Sequence, residues 1–287
     1  MPRNIKNILQ KKIETILLES KIENKKFCRL FNFMNSIFLK WPILVGYDDK
    51  AKAYILMDLK GQNESIYIGR KRRIGIYKKG VAERLNFVAE QYFCDSLEFD
   101  RNDLIIDVGA NVGELSLFLA KHRNIVPICF EPEALEFQCL SLNLANYNDK
   151  GIFVNAPLWS EEREIVLYHK NETGDSSLIE PDNFSGQKVI KSLTLASFIH
   201  SELPNEKRVR LLKLEAEGAE PEILKGGLSV LDRIDYVAAD VGPERGVRKE
   251  RTLVAVNETL ASYGFTLIAA HNIRDTVLYK NVKHFYQ

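Results

Sequence analysis

The chain is poor in cysteine: Cys28, Cys94, Cys129 and Cys139 are the four it has in 287 residues, and no two form a C-x-x-C pair. That spacing offers neither a zinc site nor a disulfide framework, so reduced thiols in a cytosolic compartment are expected. Long apolar runs are missing as well. The two N-terminal segments richest in apolar residues are interrupted well short of the roughly eighteen residues a membrane-spanning helix needs. The polar start Met1-Pro2-Arg3-Asn4, followed by scattered charges, does not read as a signal peptide. A cytoplasmic protein is expected, with peripheral contact at the inner face of the membrane as an option. A glycine pattern is absent too. Counted from Gly109, Asn111 and Glu114 stand where a G-x-G-x-x-G dinucleotide fingerprint places its second and third glycines, which disfavours a nicotinamide-dependent oxidoreductase.

What is present is an ordinary globular composition, 45% hydrophobic and 28% charged, so disorder is not expected to dominate. The net charge of +1 conceals a split. Residues 1–85 hold 19 Lys+Arg against 8 Asp+Glu, a net of +11, which leaves −10 for the remainder. Two regions follow, a basic one over 1–85 and a larger one over 86–287. A basic region is drawn to phosphate-bearing substrates or an anionic membrane, or is a solvated appendage.

The chain is organised around Leu104 to Pro132, LIIDVGANVGELSLFLAKHRNIVPICFEP. An apolar run meets an acid and a Gly-rich turn, a helix-period segment follows, and a second apolar run, Ile125 to Phe130, ends in Glu131-Pro132. Strand, helix and strand within about thirty residues make a βαβ unit. Glycine at the turn lets the chain bend sharply and lets a ligand approach bare backbone, and amides at the start of the helix face that ligand. The spacing of Asp107, Gly109, Asn111 and Gly113 fits the D-x-G-x-G-x-G turn of S-adenosylmethionine enzymes, with Asn tolerating the unusual backbone angles of the middle glycine. Asp107, Gly109, Ala110, Asn111, Gly113 and Glu114 are therefore candidate cofactor residues. So are Glu131, whose carboxylate can accept from both hydroxyls of a ribose, and the adjoining Pro132.

Three stretches in order, DVGANVG at 107–113, FEP at 130–132 and KLEAEGAE at 213–220, resemble the FkbM-type S-adenosylmethionine-dependent methyltransferases. The resemblance spans roughly Tyr92 to Ala270. It implies an α/β fold of class I methyltransferase type, a Rossmann-like doubly wound sheet of about seven strands, here behind an N-terminal helical and β-hairpin extension. It also implies O-methylation, often of a sugar in a surface polysaccharide, a lipopolysaccharide or a secondary metabolite. The family usually carries Asp where this chain has Glu215.

Along the chain, Asn4 to Leu18 and Phe27 to Leu39 read as amphipathic helices. The second could pack on the catalytic domain, form a dimer face or lie in a membrane interface. Ala53–Met57 and Ser65–Ile68, joined by Lys60-Gly61-Gln62-Asn63-Glu64, read as a β-hairpin. Gly69 to Gly80 is the most basic stretch. It either grips the phosphates of a nucleotide- or lipid-linked sugar or is an exposed turn, and no nucleic-acid-binding motif accompanies it. Val81 to Leu97 and Glu133 to Ala145 read as helices, and Ile152 to Asn155 as the third core strand. In class I methyltransferases the segment after this strand often lies beside the adenine, which makes Asn155 and Ala156 candidates; the plainer role for Asn155 is a strand-end cap. Glu164 to His169 reads as an extra strand, and Asn171 to Leu178 as a polar loop similar to the family's Gly-x-Ser-Ser segment, suited to covering the site.

Val209 to Leu214 is the fourth core strand and delivers Glu215 and Glu217 to the carboxyl edge, where ligands of open α/β sheets sit. Glu217 and Glu220 could instead favour the positive end of the helix Pro221–Lys225. The fifth strand, Ile234 to Ala239, ends at Asp240, with a helix expected from Gly242-Pro243 to about Tyr263. Phe265–Ala270 and Thr276–Tyr279 make a final antiparallel pair, with His271 in the connection, either a base for a substrate hydroxyl or a surface residue. The expected reaction is methyl transfer to an oxygen of a sugar or phosphorylated glycan, with proton transfer assisted by one of Glu215, Glu217, Asp240 or His271. Rival readings are an N-methyltransferase acting on protein or nucleic acid, the oxidoreductase already disfavoured, and a non-catalytic binding module. The absence of an N-P-P-Y-like tetrapeptide counts against nucleobase amines.

Overall fold

The computed structural model describes residues 3–59, 64–147, 150–170, 174–271 and 274–284. The chain opens with helices α1 (Arg3–Glu19) and α2 (Asn24–Met34), the latter continued by a π turn, Asn35–Leu39. Glu23 starts α2 because its carboxylate accepts the N–H groups of Lys25 (2.9 Å) and Lys26 (3.1 Å), two of the donors a helix start leaves unpaired. Strands β1 (Ile43–Asp48), β2 (Ala53–Asp58) and β3 (Ser65–Ile68) form an antiparallel sheet in that order. The expected hairpin is its β2–β3 half; most of its turn, residues 60–63, lies outside the described residues. The first strand escaped the sequence reading because side chains on α2 and the π turn fix it: Asn32 exchanges two hydrogen bonds with the backbone of Val45 (2.8 and 2.9 Å), and Asn35 donates to the carbonyls of Trp41 and Ile43 (both 3.0 Å).

A 3-10 turn (Lys71–Tyr77) leads into α3 (Val81–Gln91), shorter than expected because the chain reverses through Phe93 at φ 59°. Then come β4 (Leu104–Val108), α4 (Glu114–Arg123), β5 (Val126–Phe130), α5 (Ala134–Asn143) and β6 (Ile152–Val154). An insertion follows, β7 (Glu164–His169), β8 (Ser176–Ser177) and β9 (Gly186–Lys191), which pairs as an antiparallel sheet in the order β8-β7-β9. Residues 171–173 of the polar loop lie outside the described residues. Next are α6 (Leu195–Glu202), β10 (Val209–Leu214), α7 (Glu220–Lys225), β11 (Ile234–Asp240), the hairpin β12 (Pro243–Arg245) and β13 (Glu250–Arg251), α8 (Leu253–Ser262), β14 (Phe265–Ala270) and β15 (Thr276–Asn281). The β12–β13 hairpin corrects the expected helix from Pro243: proline and Gly246, at φ +64°, favour a turn, and the helix begins only at Leu253.

The central sheet has seven strands in the order β14-β15-β11-β10-β4-β5-β6, with β6, β5, β4, β10, β11 and β14 running in one direction and β15 antiparallel between β11 and β14. Both faces are buried, so its parallel strands read as continuous apolar runs rather than as alternations. Leu104, Ile106 and Val108 point into a core shared with Leu195, Ile223 and Val256. Ile105 and Leu211 point the other way, into a core that also holds Phe27, Phe31, Ile43, Leu56, Ile66 and Tyr77 from the N-terminal region. The carboxyl ends of β4, β5 and β10 gather at one edge between the N-terminal region and the β7–β9 insertion. Among the described residues, no helix is long and apolar enough to cross a membrane.

Candidate active site

The turn after β4 carries positive φ at every second residue, Gly109 (69°), Asn111 (50°) and Gly113 (83°). This alternation folds the backbone into a cup. The N–H groups of Gly109 and Ala110 donate to the Phe130 carbonyl, both at 3.0 Å, tying the turn to the end of β5. Asn111 N–H donates to Glu131 Oε2 (2.8 Å), and Glu133 N–H to Glu131 Oε1 (2.8 Å). Burial pushes the Glu131 carboxyl up to about 8, with these amides pulling the other way.

Under the cup lies a buried charge pair. Lys213 and Asp107 are register partners on the adjacent parallel strands β10 and β4, so their side chains emerge side by side on one face. The ammonium is 3.0 Å from Asp107 Oδ1 and 3.3 Å from Glu215 Oε2, and the Lys213 and Asp107 side chains are only 4% and 1% exposed. It also donates to the carbonyls of Val108 (3.1 Å) and Gly109 (2.9 Å), and it lies 5.3 Å above the Tyr92 ring. Ser116 Oγ, on α4, donates to Asp107 Oδ2 at 2.8 Å. Burial lowers the Lys213 pKa, but Asp107 and Glu215 outweigh it and the net shift is upward. Glu215 is also disfavoured as an anion by burial, yet Lys213 and Tyr92 hold its carboxyl below the usual range.

The N-terminal region closes one side. Glu114, at the start of α4, accepts from Arg84 at 2.7 and 2.9 Å and from the Tyr77 hydroxyl at 2.6 Å. Of the basic run, Arg70 pairs with the buried Glu136 (2.9 Å), and Lys71 donates to the carbonyls of Ser20 (3.0 Å) and Ile22 (3.1 Å). Arg72 reaches Glu19 (3.2 Å) and Arg73 reaches Asp175 (3.5 Å). The run thus turns onto the protein itself, and Arg73 brings a guanidinium to the cleft.

A cleft enclosing about 1050 Å³, its open mouth included, runs along this edge. It is lined by Asp107, Gly109, Ala110, Asn111, Glu114, Glu131, Pro132 and Ala156 from the expected cofactor set, and by Glu215 and Glu217 from the expected catalytic set. Gly113 and Asn155 are not among its lining residues. Gly113 packs on Leu140 and Leu144, and Asn155 donates to the Glu131 carbonyl at 2.8 Å. Asp240 and His271 are also outside the lining: Asp240 Oδ1 accepts the Gly242 N–H (2.9 Å), and His271 Nδ1 accepts that of Arg274 (3.3 Å). Glu220 turns inward and accepts the N–H groups of Ala216 (2.9 Å) and Gly218 (3.3 Å). Glu217 holds a left-handed backbone, φ 50°, and burial pushes its carboxyl up to about 9, followed by the nearby Glu244 and Asp175.

Tyr92, Arg84 and Lys213 line the cleft without having been named as candidate site residues from sequence, and Arg73 lines it as a member of the basic stretch Gly69–Gly80. For Lys213 a signal existed, since it follows the apolar pair Leu211-Leu212 within a core strand whose other cation, Arg210, lies near the strand's start, and a cation set that deep must find a counter-ion. Arg84 carried no such mark.

The residues fit S-adenosylmethionine. The glycine cup leaves backbone open to a ligand, Glu131 at the end of β5 offers a carboxylate to a ribose diol, and Glu215 and Glu217 bring further carboxyl groups to the same cleft. A ribose diol donates to the ionised carboxylate, so affinity for S-adenosylhomocysteine should rise with pH toward about 8, by up to about tenfold per unit below it. Glu131→Gln should weaken binding about tenfold and flatten that dependence. Calorimetric titration from acid to alkaline pH checks this; a wild-type affinity independent of pH would remove Glu131 from the ribose.

A protein-family model described as the methyltransferase FkbM domain matches residues 107–267. Methyltransferase 1 of Beauveria bassiana (strain ARSEF 2860) is 26% identical over 188 residues, 56% of this chain and 75% of that protein. Methyltransferase sdnD of Sordaria araneosa is 30% identical over 176 residues, 49% of this chain and 68% of that protein. Among solved structures, the precorrin-6y C5,15-methyltransferase of Geobacter metallireducens GS-15 aligns with a TM-score of 0.38 at 12% identity, covering 69% of this chain and 84% of that one. With the glycine cup, the acid ending β5 and the carboxylates after β10 all on one sheet edge, and with the family match spanning more than half of its length, the chain belongs to the FkbM methyltransferases and uses S-adenosylmethionine as its cofactor.

Proposed function

We propose that the enzyme is an O-methyltransferase whose acceptor is a sugar hydroxyl, carried by a glycan, a lipopolysaccharide or a secondary metabolite. The observation that supports this reading is a second pocket of about 640 Å³ that shares Asp175, Ser176 and Glu217 with the cofactor cleft. Tyr168, Lys170, Asp182, Glu244 and Lys249 line it further. Small size, many acceptors and one aromatic face suit a polyol, which donates several hydroxyls and presents C–H surface to a ring.

When bound, S-adenosylmethionine supplies an electrophilic methyl group with a neutral thioether as leaving group. The protein has to aim an oxygen at that carbon and take one proton. Glu217 stands on the wall common to both pockets and is the group we assign to the proton: its carboxylate would accept the proton that the acceptor hydroxyl gives up on methylation. A carboxyl near 9 is a strong base for its type but is mostly protonated at neutral pH. Burial also pushes Glu244, facing it across the second pocket, up to about 8.

The rate should therefore climb with pH up to about 9 and then level. Glu217→Gln should lower kcat about 10²–10⁴-fold and abolish the climb, while affinity for S-adenosylhomocysteine stays within about threefold of wild type. Label transfer from S-adenosylmethionine to a panel of oligosaccharides and of peptide amines tests the acceptor class. Alkali-stable methyl ether on sugar is the expected product, and methylated amine would sink the O-methyl reading.

A further inference from the structure

Helix α2 and its π turn expose one continuous stripe, Lys26, Arg29, Leu30, Phe33 and Ile37, at the three- and four-residue steps that place side chains on a single helix face, and the exposed Lys40 follows just past the turn. The apolar members are Leu30 (37% exposed), Phe33 (60%) and Ile37 (46%), while Phe27 and Phe31 on the opposite face are fully buried. Beside the stripe, Leu44 and Leu59 (39% and 60% exposed) border a shallow hollow of about 780 Å³ with Ser36, Lys40 and the half-buried Trp41. Three cations thus frame an apolar centre with an indole at its margin. The surrounding sequence has the same sign: residues 1–47 hold nine Lys+Arg and three Asp+Glu. One of those acids, Glu23, is spent on capping α2, and another, Glu19, on Arg72.

We propose that this face docks the enzyme on an anionic phospholipid surface, with Leu30, Phe33 and Ile37 at the boundary of the acyl chains and Lys26, Arg29 and Lys40 against the headgroup phosphates. The charge pattern selects this occupant. An apolar helix face ringed by cations is complementary to an anionic bilayer, which accepts both parts at once. A twofold pairing of two copies would set Lys26, Arg29 and Lys40 of one chain against the same residues of the other, a repulsive arrangement. The stripe lies on the N-terminal region, away from the residues that line the two catalytic pockets, so docking leaves those pockets open.

The test is co-sedimentation of the full chain with vesicles of phosphatidylcholine alone and of phosphatidylcholine mixed with phosphatidylglycerol. Retention should be at least about tenfold greater on the anionic vesicles and should fall as salt is raised. Phe33→Glu combined with Ile37→Glu, and separately Lys26→Glu combined with Arg29→Glu, should each cut retention about tenfold. Affinity for S-adenosylhomocysteine should be unchanged in both variants, which separates a lost surface from a lost fold. Equal retention on both vesicle types, no retention, or retention untouched by the two variants would overturn the proposal. Self-association in ultracentrifugation that Phe33→Glu abolishes, without lipid binding, would hand the face to a second copy of the chain and overturn it as well.

Discussion

Replacing Lys213 by Met should cost about 3–5 kcal/mol of stability and remove measurable cofactor binding, because it strands the buried Asp107 carboxylate without its cation. The same ammonium also holds the carbonyls of Val108 and Gly109, so the glycine cup loses its floor in the same stroke. The contribution does not depend on pH in the physiological range. Lys213 has a folded pKa raised above the unfolded value, so its stabilisation is complete below about 10.5 and is lost only as pH rises through the folded value. Thermal and denaturant unfolding of the wild type, Lys213→Met, Asp107→Asn and the double variant would check it. The double variant should be more stable than the sum of the two single losses implies, by a coupling of about 0.5–3 kcal/mol. Strict additivity would show that the pair is a neighbourhood and not an interaction.

Gly109→Ala should be nearly as damaging, for a reason of space. Gly109 has φ +69°, and a Cβ there would fall well inside contact distance of the Glu215 carbonyl oxygen. That oxygen belongs to backbone anchored by the Glu215 N–H to the Val108 carbonyl (3.2 Å), so neither side can yield without separating β4 from β10 at their carboxyl ends. A loss of about 3 kcal/mol is expected, with a fall in melting temperature of about 6–12 °C. Binding of S-adenosylhomocysteine should be undetectable even below that temperature. Gly113→Ala is the informative control. Its φ is also positive, but its Cβ would meet only Leu140 and Leu144 side chains at 3.4 Å, so it should lose stability while keeping most of its affinity.

The contrast between these glycines shows how far the sequence could be read. The βαβ unit was legible because its strands are buried on both faces and so appear as unbroken apolar runs, punctuated by glycines at the one place where the chain must bend tightly. The acids at strand ends were legible for the same reason. Which of them reach the cleft was not, since Glu215 and Asp240 both follow apolar strands and only the neighbouring loops decide their direction. Asp240 is claimed by its own turn at Gly242, and Glu220 by the turn before α7. The first strand of the N-terminal sheet was hidden because its position depends on Asn32 and Asn35, ten or so residues earlier. The basic run was visible, but its meaning lay in Glu136 and Asp175, which no local pattern connects to it. Lys213 is the residue the sequence could have yielded: an interior cation in V-R-L-L-K-L predicts a buried carboxylate alongside.

The attachment of the basic run to later parts of the chain bears on how the protein is made. Arg70 leaves the ribosome 66 residues ahead of Glu136, the partner that buries it, and the backbone of Tyr67 waits 76 residues for Asn143. At about 5–20 residues per second, the N-terminal sheet spends roughly 3–13 s before Glu136 can meet Arg70, with an uncovered apolar face. Chaperones that engage emerging segments would meet this region first, and slow codons placed after Asn143 would come too late to help it.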